Sequence, residues 1–382
     1  METEKLYYND AFLTECEAEV VSCEPGKGRY EVVLDRTVFY PEGGGQPGDT
    51  GYLSGIRVTD THEKGGQVVH YCERAVEPGT LVTARIDWDR RFDLMQQHSG
   101  EHIFSGLVHE KYGYHNVGFH LGADTVTVDF DGEIGEAGLR EVELRANEIL
   151  WRDDPVEIFY PSPDELAELD YRSKKALTGP VRIVRFPGAD ICACCGTHVR
   201  SAGQVGQIQA VSMQKFHDGV RIELVCGKRA FDFSRMSAEQ NHGVSVLLSA
   251  KLPETAALVQ RTLEEKGALA QRITALENEA FAKIAKDVKG TGDVFMIREP
   301  MSPDAVRRLG DAVLSSCGGR CAVFAGRDGE GYKYALGDPS GDVGALVKEL
   351  NSALHGRGGG RGGFAQGSVQ ATAAEIDAFF GA

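Results

Sequence analysis

The chain has 382 residues, of which 42% are hydrophobic and 26% are charged, so we expect a globular protein of two or three domains. Its net charge of −16 excludes general affinity for nucleic acid, because such affinity comes from Lys and Arg; an RNA partner needs a local basic surface. We expect no membrane association, since no apolar run is long enough to span a bilayer. The acidic start "METEKLYYNDAF" is unlike a signal peptide and predicts a cytoplasmic protein.

The cysteines indicate metal binding rather than disulfide bonds. The sequence has nine, an odd number, and three of them are clustered at Cys192, Cys194 and Cys195. In a long cytoplasmic chain such clustering is typical of a metal site.

Residues 1–90 predict a β-barrel-like domain. Strands are expected over residues 30–40, 67–72 and 81–87, separated by turns that contain Gly and Pro. The turn "PEGGGQPGDTG", residues 41–51, has more glycine than a hairpin connection needs. Such a loop can bring its backbone close to a ligand.

Residues 91–233 predict an α+β domain. A helix is expected from about residue 91 to Gly113, and a second amphipathic helix ends near Trp151. Strands are expected at "DTVTVDF", "PVRIVRF", "GQVGQIQAV" and "GVRIELVCG".

The remaining residues predict a helical linker over 234–288 and an α/β domain over 289–382. Within the linker, an apolar 4-3-4 pattern lasts for only about a heptad and a half, which favours a hairpin or spacer as much as a coiled coil. In the last domain, Ser302 and Pro303 predict the start of a helix. This domain closes with "HGRGGGRGGFAQGS", residues 355–368, where Gly and Arg interleave.

Two short stretches carry candidate metal ligands. In "QQHSGEHIF", His98 and His102 lie one helical turn apart, so both imidazoles can face one ion. In "DICACCGTHVRSAG", Cys194 and His198 flank a Gly-Thr turn. One thiolate and three imidazoles form a donor set that Zn²⁺ prefers. Spacing alone does not choose Cys194 over Cys192 or Cys195.

The motifs "HSGEH" and "CCGTH", preceded by "LDRTVFY" and "FYPEGGGQPGDTG", resemble the editing domain of alanyl-tRNA synthetase and the free-standing AlaX editing proteins. The resemblance implies that His98, His102, Cys194 and His198 bind one Zn²⁺ per chain. Here Cys195 stands where the family pattern C-G-G-T-H has glycine. The resemblance also implies that Thr37 and Gln46 are catalytic or substrate-binding residues.

The C-terminal segment "GRGGGRGGFAQGS" resembles the DHH-associated domain of the same synthetases, although the sequence has no Asp-His-His triplet. This resemblance implies tRNA binding by the segment Arg357, Gly358, Gly359, Gly360 and Arg361, and suggests a homodimer through the C-terminal domain. The glycines permit close approach to the RNA backbone, which the arginines can contact. The resemblance covers nearly the whole chain and corresponds to the long AlaX form, without an aminoacylation domain ahead of it.

The implied function is trans-editing, the hydrolysis of tRNA(Ala) that carries a wrong amino acid. A synthetase pocket built for alanine excludes neither serine nor glycine strongly, so a second site must hydrolyse the ester. We expect serine to be the first target and glycine the second. Zinc would either activate water or only position the substrate, because four protein ligands are typical of closed structural sites.

Two alternatives remain open. "HSGEH" also fits the inverted H-x-x-E-H zinc motif of metallopeptidases, in which Glu101 would act as the base. Glu101 would otherwise lie on a solvated helix face or support a ligand histidine. The second alternative is a non-catalytic tRNA-binding protein in which zinc is structural.

Overall fold

A computed structural model describes residues 2–173 and 179–381. The chain folds into two compact units, residues 1–242 and 243–382. Within the described part of the chain, no helix is both long and apolar enough to cross a membrane. All nine cysteines are free thiols, as the sequence predicted.

The elements of the two units are as follows. The strands are β1 Glu4–Lys5, β2 Glu15–Pro25, β3 Tyr30–Leu34, β4 Arg36–Thr37, β5 Gly51–Leu53, β6 Ile56–Lys64, β7 Gln67–Cys72, β8 Leu81–Ile86, β9 Asn116–Leu121, β10 Val126–Phe130, β11 Glu157–Phe159, β12 Ile183–Phe186, β13 Asp190–Ala193, β14 Ile208–Phe216, β15 Gly219–Cys226, β16 Gly292–Arg298, β17 Gly318–Arg327, β18 Gly331–Gly337, β19 Arg357–Arg361 and β20 Phe364–Val369. The α-helices are α1 Trp88–Tyr112, α2 Glu136–Arg152, α3 Pro163–Glu168, α4 Gly227–Leu248, α5 Thr255–Asp287, α6 Pro303–Cys317, α7 Gly344–Ala353 and α8 Ala373–Phe380.

Strands of the first unit close a β-barrel in the order β2-β3-β7-β6-β5-β8. In β8, Val82, Ala84 and Ile86 are buried in the barrel core, whereas the residues between them are exposed. This alternation follows from the two-residue period of a strand. The sequence did not predict β2, because its outward positions are charged residues that strands ordinarily avoid.

The predicted strand over residues 30–40 is wrong in its second half. Strand β3 ends at Leu34 because the carboxylate of Asp35 turns the chain: its Oδ1 accepts hydrogen bonds from the backbone N–H groups of Glu19 and Arg36. The two-residue β4 then pairs in parallel with β1. The turn leads Thr37 into the buried interior of the first unit.

Helix α1 is anchored to the barrel by a buried ion pair. Arg91 on α1 is completely buried, and its guanidinium binds the carboxylate of Asp49, which lies within the Gly-rich turn. The same guanidinium donates to the carbonyl oxygens of Ala11 and Val38. These bonds fix the helix that carries His98 and His102 relative to the turn at residues 41–51.

Most of α1 lies inside the protein. It packs against the four-stranded sheet β14-β15-β10-β9 and against α2, in a core that includes Phe104, Phe130 and Ile222. It ends at Gly113, whose φ of 73° is the left-handed conformation that glycine favours at a helix terminus. Because α1 is buried on several sides, its polar side chains need partners within the fold.

A small antiparallel sheet, in the order β11-β12-β13, leads to the second ligand segment. Strand β13 ends at Ala193, directly before Cys194. Sequence predicted strand character in "PVRIVRF", where β12 lies, but did not predict β13.

The second unit contains a five-stranded sheet in the order β16-β17-β18-β20-β19. Helix α6 begins as predicted, since the Ser302 hydroxyl accepts a hydrogen bond from the backbone N–H of Ala305 and Pro303 occupies the first turn. On α5, the apolar residues Leu269 and Ile273 are exposed in the described structure. The four domains drawn from the sequence, and the three boundaries between them, remain predictions.

Candidate metal centre

Two distant segments of the chain bring four potential ligands together. The Sγ of Cys194 lies 3.5 Å from Nε2 of His98 and 3.3 Å from Nε2 of His198. The ligand atoms of these three residues and His102 all lie within 4.8 Å of one another. The three imidazoles are buried and Cys194 is partly exposed. One sulfur and three nitrogens therefore converge on a single point.

Each of the three imidazoles has a hydrogen-bond partner at its Nδ1 atom. The contacts are His98 to Gln46 Oε1 at 2.9 Å, His102 to Asp190 Oδ2 at 2.8 Å, and His198 to Ser99 Oγ at 3.1 Å. An acceptor at Nδ1 favours the tautomer that carries its proton there, which leaves the Nε2 lone pair for a metal ion. The potential ligand atoms therefore lie close together, and the imidazole rings that carry three of them are held in a fixed orientation.

The loop after β13 directs Cys194 toward the histidines. Gly196 permits this because a Cβ atom there would lie 2.1 Å from Cε1 of His98. Its backbone N–H donates to Sγ of Cys194 at 3.3 Å. Arg182 braces the loop by donating from Nη1 to the carbonyl oxygens of Cys194 and Gly196, at 2.7 Å and 3.1 Å.

The two neighbouring thiols lie differently. Cys195 is exposed, and Cys192 is buried on β13. Cys192 is close to His102 and Asp190 and forms a second potential ligand group with them. We favour the group with Cys194, because Nδ1 of His102 already binds Asp190 and only Nε2 of that ring is left for an ion.

The electrostatics of the cluster favour a thiolate. Burial raises the pKa of the Cys194 thiol, but its interactions with His98, His198 and His102 outweigh burial and lower this pKa well below its ordinary value. Burial lowers the pKa of His198 to about 3, so that this ring is neutral at neutral pH. Burial also lowers the pKa of His102, but Cys194 and Asp190 outweigh burial and raise it to about 10. Because a metal ion binds a thiolate and neutral imidazoles, binding of an ion would release the His102 proton.

Gln46 lies within the site, where it holds protein groups. Its side chain is completely buried, and its Oε1 accepts from Nδ1 of His98 and from the backbone N–H of Thr197. Its Nε2 donates to the hydroxyl of Thr197 at 2.7 Å. The Gly-rich turn therefore supports both ligand segments through one amide. That Gln46 also contacts substrate stays a prediction.

Thr37 is bound within the barrel. Its hydroxyl lies 2.8 Å from Nε2 of His70 and accepts from the backbone N–H of Phe39. Nδ1 of His70 lies 3.1 Å from the carbonyl oxygen of Val32, so the proton is on Nδ1 and the Thr37 hydroxyl donates to Nε2. Both residues are completely buried. A substrate contact for Thr37 likewise stays a prediction, and the observed bonds indicate a structural role.

Sequence reasoning missed Ser99 and Asp190 as partners of the ligand histidines, and it left Glu101 unassigned. The only local signal was that Ser99 and Asp190 lie within the two sequence stretches that contain the candidate ligands. Glu101 is buried, and its Oε1 accepts from the Ser105 hydroxyl at 2.7 Å and from the Asn116 amide at 2.5 Å. Its carboxylate is therefore part of a buried hydrogen-bond network.

The Gly/Arg segment forms the edge strand β19 rather than a flexible turn. All five of its residues are exposed, and it pairs in antiparallel register with β20. Alternation along a strand places Arg357 and Arg361 on one face. A Cβ atom at Gly360 would lie 2.0 Å from the carbonyl oxygen of Phe364, so glycine is required there. Contact of this strand with tRNA stays a proposal.

Comparison with known proteins identifies the class. Residues 2–90 match the family model of class II (A) tRNA synthetases, and residues 181–223 match that of the threonyl and alanyl tRNA synthetase second additional domain. The barrel and the loop that carries Cys194 and His198 therefore both correspond to synthetase-related modules.

Individual relatives show the family. The chain is 31% identical to the alanyl-tRNA editing protein AlaX-L of Pyrococcus horikoshii, over 98% of this chain and 96% of that protein. It is 27% identical to the alanyl-tRNA editing protein Aarsd1 of Danio rerio, over 97% and 95% of the two chains. It is 32% identical to the alanine–tRNA ligase of Pyrococcus abyssi but spans only 42% of that enzyme. The chain belongs to the family of alanyl-tRNA editing proteins represented by AlaX-L.

Proposed function

We propose that this protein hydrolyses the ester bond of tRNA(Ala) carrying the wrong amino acid, with serine as the first target and glycine as the second. One Zn²⁺ ion per chain is bound by His98, His102, Cys194 and His198. The observation that carries the proposal is the convergence of these four donors, with each imidazole held at Nδ1, in a chain that aligns with AlaX-L over nearly its whole length.

The residues present fit zinc. A thiolate and three imidazoles match the donor preference of Zn²⁺, and the lowered pKa of Cys194 favours its thiolate form. When bound, the ion supplies a Lewis acid that can polarise a carbonyl oxygen or lower the pKa of a water molecule.

The surrounding residues keep the site rigid and define its access. Gln46, Ser99 and Asp190 fix the three rings, and the buried histidines exclude bulk water from the protein side. Cys194 is the partly exposed member of the group, so the aminoacyl end of the substrate approaches from its side. Glycine at position 196 keeps the loop close to His98 on that approach.

The metallopeptidase alternative is less well supported. It requires Glu101 to act as a base on water at the ion, whereas the Glu101 carboxylate binds Ser105 and Asn116. It also leaves Cys194 and His198 without a role. The alternative of a non-catalytic carrier with structural zinc predicts tRNA binding without hydrolysis.

We further propose that the second unit is a DHH-associated domain that contacts tRNA through Arg357, Gly358, Gly359, Gly360 and Arg361, and that it forms a homodimer. The exposed edge strand offers two guanidinium groups on one face in a protein that is otherwise strongly acidic. Such a local basic surface is what a phosphate backbone requires.

The test is a substrate panel with the full chain. We expect rapid deacylation of Ser-tRNA(Ala), slower deacylation of Gly-tRNA(Ala), little of Ala-tRNA(Ala) and no cleavage of peptides. Removal of metal with a chelator should abolish the activity and added Zn²⁺ should restore it. Binding of tRNA without deacylation would support the carrier alternative and contradict the proposal.

A further inference from the structure

A carboxylate links His102 to a partly buried arginine. Oδ2 of Asp190 accepts hydrogen bonds from Nδ1 of His102 at 2.8 Å and from Nη2 of Arg172 at 2.9 Å. Oδ1 of Asp190 accepts from Nε of Arg172 at 2.7 Å. The side chain of Asp190 is 1% exposed and that of Arg172 is 16% exposed. The two-point fork of the guanidinium fixes the plane of the carboxylate and therefore the direction of its bond to His102.

The backbone of Arg172 binds the strand that leads to the other ligand segment. Its N–H donates to the carbonyl oxygen of Ile191 at 2.8 Å, and its carbonyl oxygen accepts from the N–H of Ala193 at 2.9 Å. Arg172 therefore forms four hydrogen bonds with strand β13, two with the backbone of the strand and two with the side chain of Asp190. The strand ends directly before Cys194, so these bonds connect the position of Cys194 with that of His102.

This connection differs chemically from those of the other two imidazoles. Gln46 and Ser99 offer neutral oxygens to His98 and His198, whereas Asp190 offers a charged one to His102. Hydrogen bonds to an ionised acceptor are shorter and stronger than neutral ones, and a carboxylate partner increases the donor strength of a metal-binding imidazole.

We propose that Asp190 is a positioning residue that holds His102 as a metal ligand, and that Arg172 fixes Asp190 for this task. The proposal rests on the metal site of the proposed function but does not depend on which ester is hydrolysed.

The first unit offers a matched control. Asp129 and Arg221 form the same two-point ion pair, with Arg221 Nε to Asp129 Oδ1 at 2.7 Å and Nη2 to Oδ2 at 2.8 Å. They face each other across β10 and β15. Replacing Asp129 removes a similar pair of hydrogen bonds from the same unit without removing a partner of a ligand histidine.

The experiment measures metal affinity in the metal-free full chain. Co²⁺ serves as the probe, followed by the visible absorption of the cobalt–thiolate centre and by chelator competition. We expect Asp190→Asn to weaken binding roughly 10- to 100-fold. Arg172→Gln should weaken it less, and Arg172→Lys should recover part of that loss. Asp129→Asn and Arg221→Gln should leave the affinity and the spectrum unchanged.

The outcomes are distinct. Equal affinities for Asp190→Asn and Asp129→Asn would overturn the positioning role. If Asp190→Asn does not fold, the two Arg172 variants test the proposal instead. Co²⁺ affinity equal to that of the wild type in both variants would overturn the role of Arg172, and the proposal with it. Tight Co²⁺ binding that weakens as expected, in a protein that deacylates no tRNA, would leave the positioning role intact and contradict the proposed function. Failure of the wild type to bind Co²⁺ would contradict both.

Discussion

Buried histidines occur in two places in the described structure, the barrel and the metal centre. They differ in what the second nitrogen of each imidazole ring contacts. His70 in the barrel uses both nitrogens, one toward Val32 and one toward Thr37. The histidines of the metal centre use only Nδ1 for such bonds and present Nε2 to Cys194 and to one another. Burial does not separate the groups, since it lowers the pKa of both His70 and His198. The surroundings of Nε2 do: in the metal centre this atom faces other potential ligand atoms, among them Sγ of Cys194, so that one ion could bind them all.

The largest expected effect comes from removing the thiolate. Cys194→Ala should reduce deacylation of Ser-tRNA(Ala) by more than the roughly 100-fold that loss of an outer partner of a ligand costs, because a ligand itself is lost. Cys195→Ala is the matched control, since that thiol is exposed beside the site, and it should retain most of the activity. Activity and zinc content measured on both proteins provide the check. Equal loss in the two variants would mean that Cys194 is not the coordinating sulfur.

One substitution beside a histidine of each place tests whether the two kinds of buried histidine differ in function. Gln46→Ala removes the acceptor of His98 and should weaken Co²⁺ binding roughly 10- to 100-fold. Thr37→Val removes the hydroxyl that binds His70 and should cost about 1–3 kcal/mol of unfolding free energy with no change in metal affinity.

Denaturant unfolding and metal titration of both variants separate the two effects. Thr37→Val with normal stability but reduced discrimination between Ser-tRNA(Ala) and Ala-tRNA(Ala) would restore the substrate-binding role that the family resemblance implied for Thr37.

His70 predicts a pH dependence of stability. Burial lowers its pKa from 6.5 to about 4 in the folded state. Between these values the unfolded chain binds a proton that the folded chain does not, so stability is complete above pH 6.5 and falls as the pH drops toward 4. The loss is about 3 kcal/mol. Unfolding of metal-free wild type and His70→Gln across this range measures it, and parallel pH curves for the two proteins would refute the assignment.

The smallest expected effect concerns the second unit. Replacing Arg357 and Arg361 together should weaken tRNA binding and reduce the dependence of log K on log salt by about 1 to 2, because each phosphate contact contributes roughly 0.7–0.9 to that slope. The deacylation rate at saturating substrate should change little. The exposed pair Arg140 and Arg145 on α2 gives a control of equal charge. An identical salt slope in both double variants would contradict the proposed RNA contact.

The sequence predicted most of what depends on local spacing. The histidine pair, the helix that carries it, its end at Gly113 and the pairing of Cys194 with His198 all follow from short motifs. The structure brings those four candidate ligands together. The start of the helix after Ser302 was also predicted from a local pattern, Ser302 followed by Pro303.

Partners that come from far along the chain could not be predicted. Asp190 meets His102 across 88 residues and Ser99 meets His198 across 99, and no periodicity links such positions. Strand β2 was missed because its exposed face is charged, and Thr37 could not be assigned because a threonine in a strand has the same local pattern whether it binds substrate or His70.

The proposed function depends on a single ion held by one sulfur and three imidazole nitrogens. Zinc X-ray absorption spectroscopy of the purified full chain tests it most directly. We expect one zinc per chain, with one sulfur at about 2.3 Å and nitrogen neighbours at about 2.0–2.1 Å. A shell with two sulfurs, which would bring in Cys192 or Cys195, or a protein that retains no zinc, would contradict it.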